Sequence, residues 1–414
     1  MRIVVYPHSM EFGGSQSNAV DLATALRKRG HEVLVFSPPG ALVALVAERG
    51  LRHEPAPRPR RRPSPAVMHR LCDVAGEFNA DIVHGFEWPP ALEAVFGPER
   101  RLGIPAVCTV MSMSVAPFLP RWLPLTVGTR KILHSVITER PDTILLEPPV
   151  DTEHDRPGDR DSAKHALGID PGTPVVTLVT RLAPELKLEG ILAAITVVGT
   201  LNADRPVRLV IAGDGPARAE VAAAAARVNT AARAQVVVLT GALADPRPVY
   251  DAADVSLGMG GSALRSMAFG KPVIVQGERG FWRLLEPDSL PGFLDQGWFG
   301  IGDSADPRAG EATLEGILRP LLADPSRRAE LGGFARHTVE SGNGLPAAAA
   351  RLERFYADAI HGAGRTSPTR FALPYLAATR YDLARKIRRH LGGVPSDDFN
   401  SLPALRGSAE RATP

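Results

Sequence analysis

A chain of 414 residues with 44% hydrophobic and 22% charged residues is long enough for two domains with their own cores, and its composition excludes a disordered or fibrous protein. Its net charge of +3 is small, and its two cysteines, Cys72 and Cys108, form no CxxC pair; a disulfide framework is excluded and a reduced, cytoplasmic setting fits. No apolar run approaches the roughly 18 residues that span a bilayer, and the basic residues lack the aromatic interleaving or long basic face that nucleic acid requires.

The first half alternates short apolar strands with amphipathic helices, the pattern of a parallel sheet covered on both faces. Arg2–Tyr6 is the first strand, entered without the basic and apolar segments of a signal peptide. A loop through Gly13-Gly14 follows, then a helix stopped by Gly30, and a strand at Glu32–Phe36. The run PRPRRRP at Arg58 to Arg62 reads as a solvated loop. Further strands are expected at Asp81–His84, Ile104–Val110, Leu123–Val127 and Thr143–Glu147. The first loop lacks GxGxxG and carries Pro7, His8, Glu11 and Phe12 before its glycines, which argues against a nicotinamide dehydrogenase. Gly13 and Gly14 either admit a phosphate or sugar hydroxyl to the helix N-terminus or merely make the turn. His84 and Glu87 stand where a strand should end. His84 is a proton or hydroxyl partner for a sugar or, equally, a buried imidazole.

Glu147–Asp151 and the proline-bearing run after it mark a domain boundary, and a second alternation begins. Strands are expected at Val175–Thr180, Val207–Ala212 and Gln235–Leu239. Arg181 and Lys187 follow the first of these. A planar guanidinium fork and a movable ammonium at a strand end suit a diphosphate, the alternative being a solvated pair. The stretch Ala252–Val275 reads as strand, glycine turn (Gly258, Gly260, Gly261), helix capped by Ser262, and strand. Glycines there let a ligand approach the backbone, and the helix N-terminus favours an anion. In the loop after Val275, Glu278 can bind sugar hydroxyls, and Phe281 or Trp282 can stack on a sugar or pack in the core. Three helices follow, then a basic amphipathic segment at Tyr375–Leu391 that packs on the first domain or touches an acidic membrane surface. Residues from about Ser396 read as disordered.

In order and spacing, several motifs resemble those of the family 4 glycosyltransferases over about residues 1 to 360. They are Gly13-Gly14, Arg29-Gly30-His31-Glu32-Val33, Pro149-Val150-Asp151, Thr180-Arg181-Leu182 with Lys187, Ala212–Pro216, and Ala253-Asp254-Val255 leading to Met267–Val273. The resemblance implies the α/β GT-B fold, two Rossmann-like doubly wound domains facing each other across a cleft. It implies a first domain at 1–150 for the acceptor and a second at 151–365 for the donor. Beyond the reach of the resemblance, the basic helix at 366–395 is expected to pack back on the first domain, ahead of a tail at 396–414. The activity implied is sugar transfer from a nucleotide-diphosphate sugar to a small-molecule or lipid acceptor, with retention, without a metal or resident cofactor, and with at most peripheral membrane contact. Arg181 and Lys187 would hold the donor diphosphate, with Gly14, Gly260, Gly261, Ser262, Arg265 and Glu278 around the donor. Glu11, His84, Glu87 and Met111 would face the acceptor. Three positions depart from the family. Arg265 stands where a ribose-binding glutamate is expected, Met111 replaces a histidine, and the Arg181–Lys187 interval is one residue longer. A guanidinium only donates where a carboxylate accepts, so Arg265 would reach a phosphate or an acidic acceptor. A catalytically silent binding protein is the alternative those departures raise.

Overall fold

The computed structural model of the chain describes residues 1–414 except 12, 305, 363–367, 391–398 and 400–414. It divides into two compact units, Met1–Pro149 with Leu345–Pro414, and Val150–Gly344.

The first unit is built on seven strands: β1 (Arg2–Pro7), β2 (Glu32–Ser37), β3 (Arg52–Pro55), β4 (Ile82–Phe86), β5 (Ala106–Val110), β6 (Leu125–Val127) and β7 (Ile144–Leu145). All pair parallel, in the order β3-β2-β1-β4-β5-β6-β7. β4 and β5 are buried along their whole length, as strands covered by helices on both faces must be. The helix Gly14–Lys28 covers one face through Val20, Ala23 and Leu26. Beside it lies the helix Leu345–His361, whose Leu345, Ala349, Leu352 and Tyr356 recur at helical spacing and bury in the same core. Burying each large apolar side chain contributes about 1.5–3 kcal/mol. Glu353 of that helix accepts from Arg29 Nε at 2.9 Å and lies 3.1 Å from His31 Nε2. The second domain therefore ends at Gly344, twenty-one residues before the boundary expected at 365, because this helix packs on the first sheet.

The helix Ala372–His390 also belongs to the first unit. Tyr375 and Tyr381 meet Phe96, Trp88 and Phe118 edge-on or tilted, and Asp382 accepts from Arg62 N at 3.1 Å. Of the tail expected at 396–414, all but Phe399 lies outside the described residues.

The second unit carries β8 (Val175–Val179), β9 (Arg208–Ala212), β10 (Val237–Gly241), β11 (Val255–Gly258), β12 (Val273–Gln276) and β13 (Trp282–Leu284) in the order β10-β9-β8-β11-β12-β13. The pairs are parallel except that β13 runs antiparallel to β12. The polar-aromatic loop expected after Val275 thus turns back as an edge strand. Trp282 buries in the core and offers no face to a sugar, while the half-buried Phe281 packs against Gly300. The Asp254 of the Ala-Asp-Val motif is structural. Its buried carboxylate takes Lys164 Nζ at 2.6 Å, Arg160 Nη1 at 2.8 Å and Val175 N at 2.9 Å, tying β11 to β8.

In each sheet the strand order reverses once, between β1 and β4 in the first and between β8 and β11 in the second. Ligands of open parallel sheets bind beyond the carboxyl ends of the strands at such a point.

Candidate active site

At the reversal of the second sheet, β8 leads into Thr180-Arg181-Leu182 and on to Lys187. This loop is braced against the segment after β9: Thr180 N donates to Ala212 O at 2.9 Å, Leu182 N to Asp214 O at 3.0 Å, and Ala217 N to Leu182 O at 2.9 Å. The contact is so close that a Cβ on Gly213 would come within 1.8 Å of Thr180 O, and one on Gly215 within 2.4 Å of Leu182 O. That approach is why the motif Gly213-Asp214-Gly215 takes glycine at both positions. Arg181 is exposed. Leu186 sits at φ 64, a left-handed conformation an ordinary side chain rarely adopts, immediately before Lys187. The segment between Arg181 and Lys187 thus closes in a turn before the helix. Lys187 then caps the helix Leu188–Asp204, and its carbonyl accepts from Gln276 Nε2 at 3.0 Å. Burial lowers its ammonium to about 8, so near neutral pH it is a cation short of solvation.

β11 ends in Gly258, and Gly260 (φ 54, ψ −130) caps the helix Gly261–Ala268. A Cβ on Gly260 or Gly261 would meet nothing within 4 Å, so the space before this helix is open. Ser262 is not the cap the sequence suggested. It lies inside the first turn, where its hydroxyl accepts from Met259 N at 3.2 Å and donates to Met259 O at 3.0 Å, holding the glycine turn from behind. Arg265, one turn on, places Nε 3.5 Å from Asp155 Oδ2. The guanidinium expected to seek a phosphate or an acidic acceptor is already matched by a carboxylate of its own unit.

Glu278 follows β12, bridged to Ile301. Burial first, then the neighbouring Glu189, raises its carboxyl above the ordinary range. Glu189 in turn accepts from Arg279 N at 3.0 Å and Gly280 N at 2.6 Å, which fastens the Glu278 loop to the first turn of the Lys187 helix. The structure so gathers Arg181, Lys187, Gly260, Gly261, Ser262 and Glu278 around one sheet reversal. Gln276 and Glu189 escaped the sequence reading. The available signal was a glutamine directly closing the apolar run Val273-Ile274-Val275; that it is buried is visible only in the structure.

In the first unit, β1 leads to His8, Glu11 and the Gly13-Gly14 turn, and β4 to Glu87. Gly13 caps the helix Gly14–Lys28 with no side-chain bond, and a Cβ on Gly14 would meet nothing within 4 Å. Gln16 reaches back to His8 Nε2 at 2.8 Å and Ser9 Oγ at 3.1 Å. Burial, with Arg62 second, lowers the His8 imidazole to about 4, so it is neutral at pH 7, and its Nδ1 is buried without a partner. Glu87 adopts φ 70 and ψ 169, a region strained for any residue but glycine, at about 1–3 kcal/mol. Its carboxylate accepts from Met111 N and Ser112 Oγ, each at 2.9 Å, while burial raises its pKa against those bonds. Met111 thus contributes its backbone to Glu87, and its sulfur lies 3.9 Å from Asn18 Nδ2. Glu11 is exposed, beside Gly40.

His84 is corrected. It lies inside β4, fully buried, with Nδ1 2.7 Å from Tyr356 Oη and Nε2 2.7 Å from Thr109 Oγ1. Both nitrogens are satisfied by the protein, and burial lowers the ring to about 3; it is a neutral packing histidine and reaches no ligand. Among the described residues no three His, Cys, Asp or Glu side chains converge as a metal site needs. The cavity lined by Pro174, Leu201, Arg205 and Leu322 sits at the amino ends of β8 and β9, away from these residues.

The family described as Glycosyltransferase Family 4 matches residues 12–144, and Glycosyl transferases group 1 matches residues 173–294. A D-inositol 3-phosphate glycosyltransferase of Rhodococcus erythropolis is 30% identical over 355 residues, 80% of this chain and 75% of the relative. A GDP-mannose-dependent alpha-mannosyltransferase of Mycobacterium tuberculosis is 28% identical over 257 residues, 54% of this chain and 65% of the relative. Among solved structures, Anabaena HepE in complex with UDP-glucose matches with a TM-score of 0.66 at 15% identity, covering 86% of this chain and 100% of that one. A glycosyltransferase of Rickettsia africae also reaches 0.66, at 13% identity over 87% and 99% of the two chains. Likeness at such low identity speaks to the fold, and the fold shared is GT-B.

Proposed function

This chain belongs to glycosyltransferase family 4, and from that membership we propose that it moves a sugar from a nucleoside-diphosphate sugar to a hydroxyl-bearing small molecule or lipid head group, with retention and without a metal ion. In this reaction the bond from the anomeric carbon to the diphosphate oxygen breaks and a bond to the acceptor oxygen forms. The acceptor's proton leaves with the diphosphate. Charge therefore builds on the leaving group, and fixed cations and N–H groups aimed at it lower the barrier. The observation that carries the reading is the second unit's sheet reversal. There the braced Arg181 loop, the desolvated Lys187 and the open Gly260-Gly261 turn before a helix share one site. A poorly solvated ammonium gains more from a diphosphate than a solvated one does.

The acceptor is assigned to the reversal of the first sheet, beside Glu87 and the Gly13-Gly14 turn. Bonds from Met111 N and Ser112 Oγ fix the Glu87 carboxylate there, an acceptor group of the kind a substrate hydroxyl needs. Two measurements test the whole. Calorimetric titration with UDP-, GDP-, ADP- and dTDP-sugars should find one donor that binds. Incubation of that donor with D-inositol 3-phosphate, the acceptor named for the Rhodococcus relative, and with other polyols and lipid head groups should give a product whose anomeric configuration matches the donor's, in EDTA as without it. Binding of none of the four donors overturns the donor assignment, and an inverted product overturns retention.

A further inference from the structure

The helix Ala372–His390 has two faces. One buries Ala378, Asp382 and the aromatic edges described above against the first unit. The other shows Leu373, Leu376, Leu383 and Ile387 to solvent, at 78, 58, 58 and 51% exposure. Their spacing of three, seven and four residues keeps all four on one stripe. They are four of the seven exposed large apolar side chains among the described residues, and a concentration of that kind marks an interaction surface.

Charge decides what the stripe meets. Arg380 stands exposed in line with it, and Arg388 stands exposed at its flank. The exposed Arg58, Arg60 and Arg61 adjoin it, because Lys386 Nζ donates to Arg60 O at 3.0 Å and Arg62 N donates to Asp382 at 3.1 Å. From Pro368 to His390 the single carboxylate is Asp382, which is 3% exposed and turned to the protein. A second copy of the same stripe would bring Arg380 and Arg388 against cations of their own kind. We propose that this face docks on an anionic lipid surface, the leucines and Ile387 entering the headgroup–acyl boundary and the arginines meeting lipid phosphates. Among the described residues no helix is long and apolar enough to cross a membrane, so the contact is peripheral. The proposal is independent of the donor and acceptor assignments.

Flotation of the full chain with phosphatidylcholine vesicles, with and without one-third phosphatidylglycerol, tests it. Binding is expected to the anionic vesicles only and should fall as salt rises. Arg380→Glu with Arg388→Glu should weaken it by about fivefold per cation lost or more. Leu376→Glu with Leu383→Glu should abolish it, and since both side chains are exposed, circular dichroism and the thermal midpoint should stay those of the unmodified chain. Absence of binding to anionic vesicles overturns the proposal, as does binding that folded double variants retain unchanged. A dimer in sedimentation that Leu376→Glu/Leu383→Glu dissociates, with no flotation, overturns it in favour of self-association.

Discussion

The two sheet reversals are alike in backbone and opposite in charge. Each follows two parallel strands, each carries an open glycine turn before a helix, and each holds a non-glycine residue at positive φ, Leu186 in one and Glu87 in the other. The second unit furnishes cations, Arg181 and a desolvated Lys187. The first furnishes a pinned carboxylate, Glu87, and an imidazole kept neutral by burial, His8. Under the proposed assignments one backbone plan serves a diphosphate in one unit and a hydroxyl in the other, and the side chains at the strand ends decide which.

The largest break in that contrast comes from removing the ammonium. Lys187→Met should lower kcat/KM by about 100- to 1,000-fold, the order seen when one stabilising group is taken from a developing charge, with the thermal midpoint no lower. The stability sign follows from the lowered pKa. The folded state binds this proton less well than the unfolded one, so keeping Lys187 charged opposes folding below about pH 8, and that opposition fades above it. An apolar side chain removes it. A large drop in midpoint alongside lost activity would mean that Lys187 is structural.

The same group sets a pH dependence. Lys187 is cationic below about 8, so kcat/KM, which reports the free enzyme, should fall as pH rises through that value. In Lys187→Arg the cation persists and the fall should disappear from this range. An identical profile in both would assign the titration to another group.

Glu87→Gln probes the other reversal. A hydrogen bond to a charged acceptor contributes about 1.5–3 kcal/mol, so kcat/KM for the acceptor should fall roughly 10- to 100-fold, with the donor's Kd unchanged in calorimetry. A parallel loss in donor affinity would erase the division of labour between the two units.

What the sequence made legible tracks how local each cause is. Apolar runs announced β1, β2, β4, β5 and β8 because burial on two faces leaves a continuous signature. β3, Arg-His-Glu-Pro, has none. It is a strand because its backbone pairs with β2 at the sheet's edge. The helix Leu345–His361 was legible as a helix, yet nothing within it says which core its stripe enters. At the sites, residue types were readable and environments were not. His84 and Glu87 lie three residues apart at the end of one strand, and only the fold distinguishes a ring closed off by Tyr356 and Thr109 from a strained carboxylate at the strand's mouth. Lys187 read as a diphosphate ligand, with a solvated pair as the alternative, and only the structure shows its ammonium withdrawn from solvent.

Arg265 should give the smallest effect and the sharpest reading of the contrast. If it were a third donor cation, Arg265→Ala would weaken nucleotide-sugar binding as a phosphate contact does, by roughly tenfold or more. Its Nε lies 3.5 Å from Asp155 Oδ2, and a third of its side chain is exposed. An ion pair of that kind contributes about 0–1 kcal/mol. Removing the arginine should then cost the second unit at most a few degrees of thermal midpoint, roughly 2–4 °C per kcal/mol for a unit of this size, and leave the donor's Kd unchanged. Arg265→Glu supplies the carboxylate expected at this position but sets it beside Asp155, and like charges repel. It should destabilise more than alanine, and Asp155→Ala in the same chain should restore the loss. Restored stability together with an unaltered Kd would confine phosphate recognition to Arg181, Lys187 and the glycine turn.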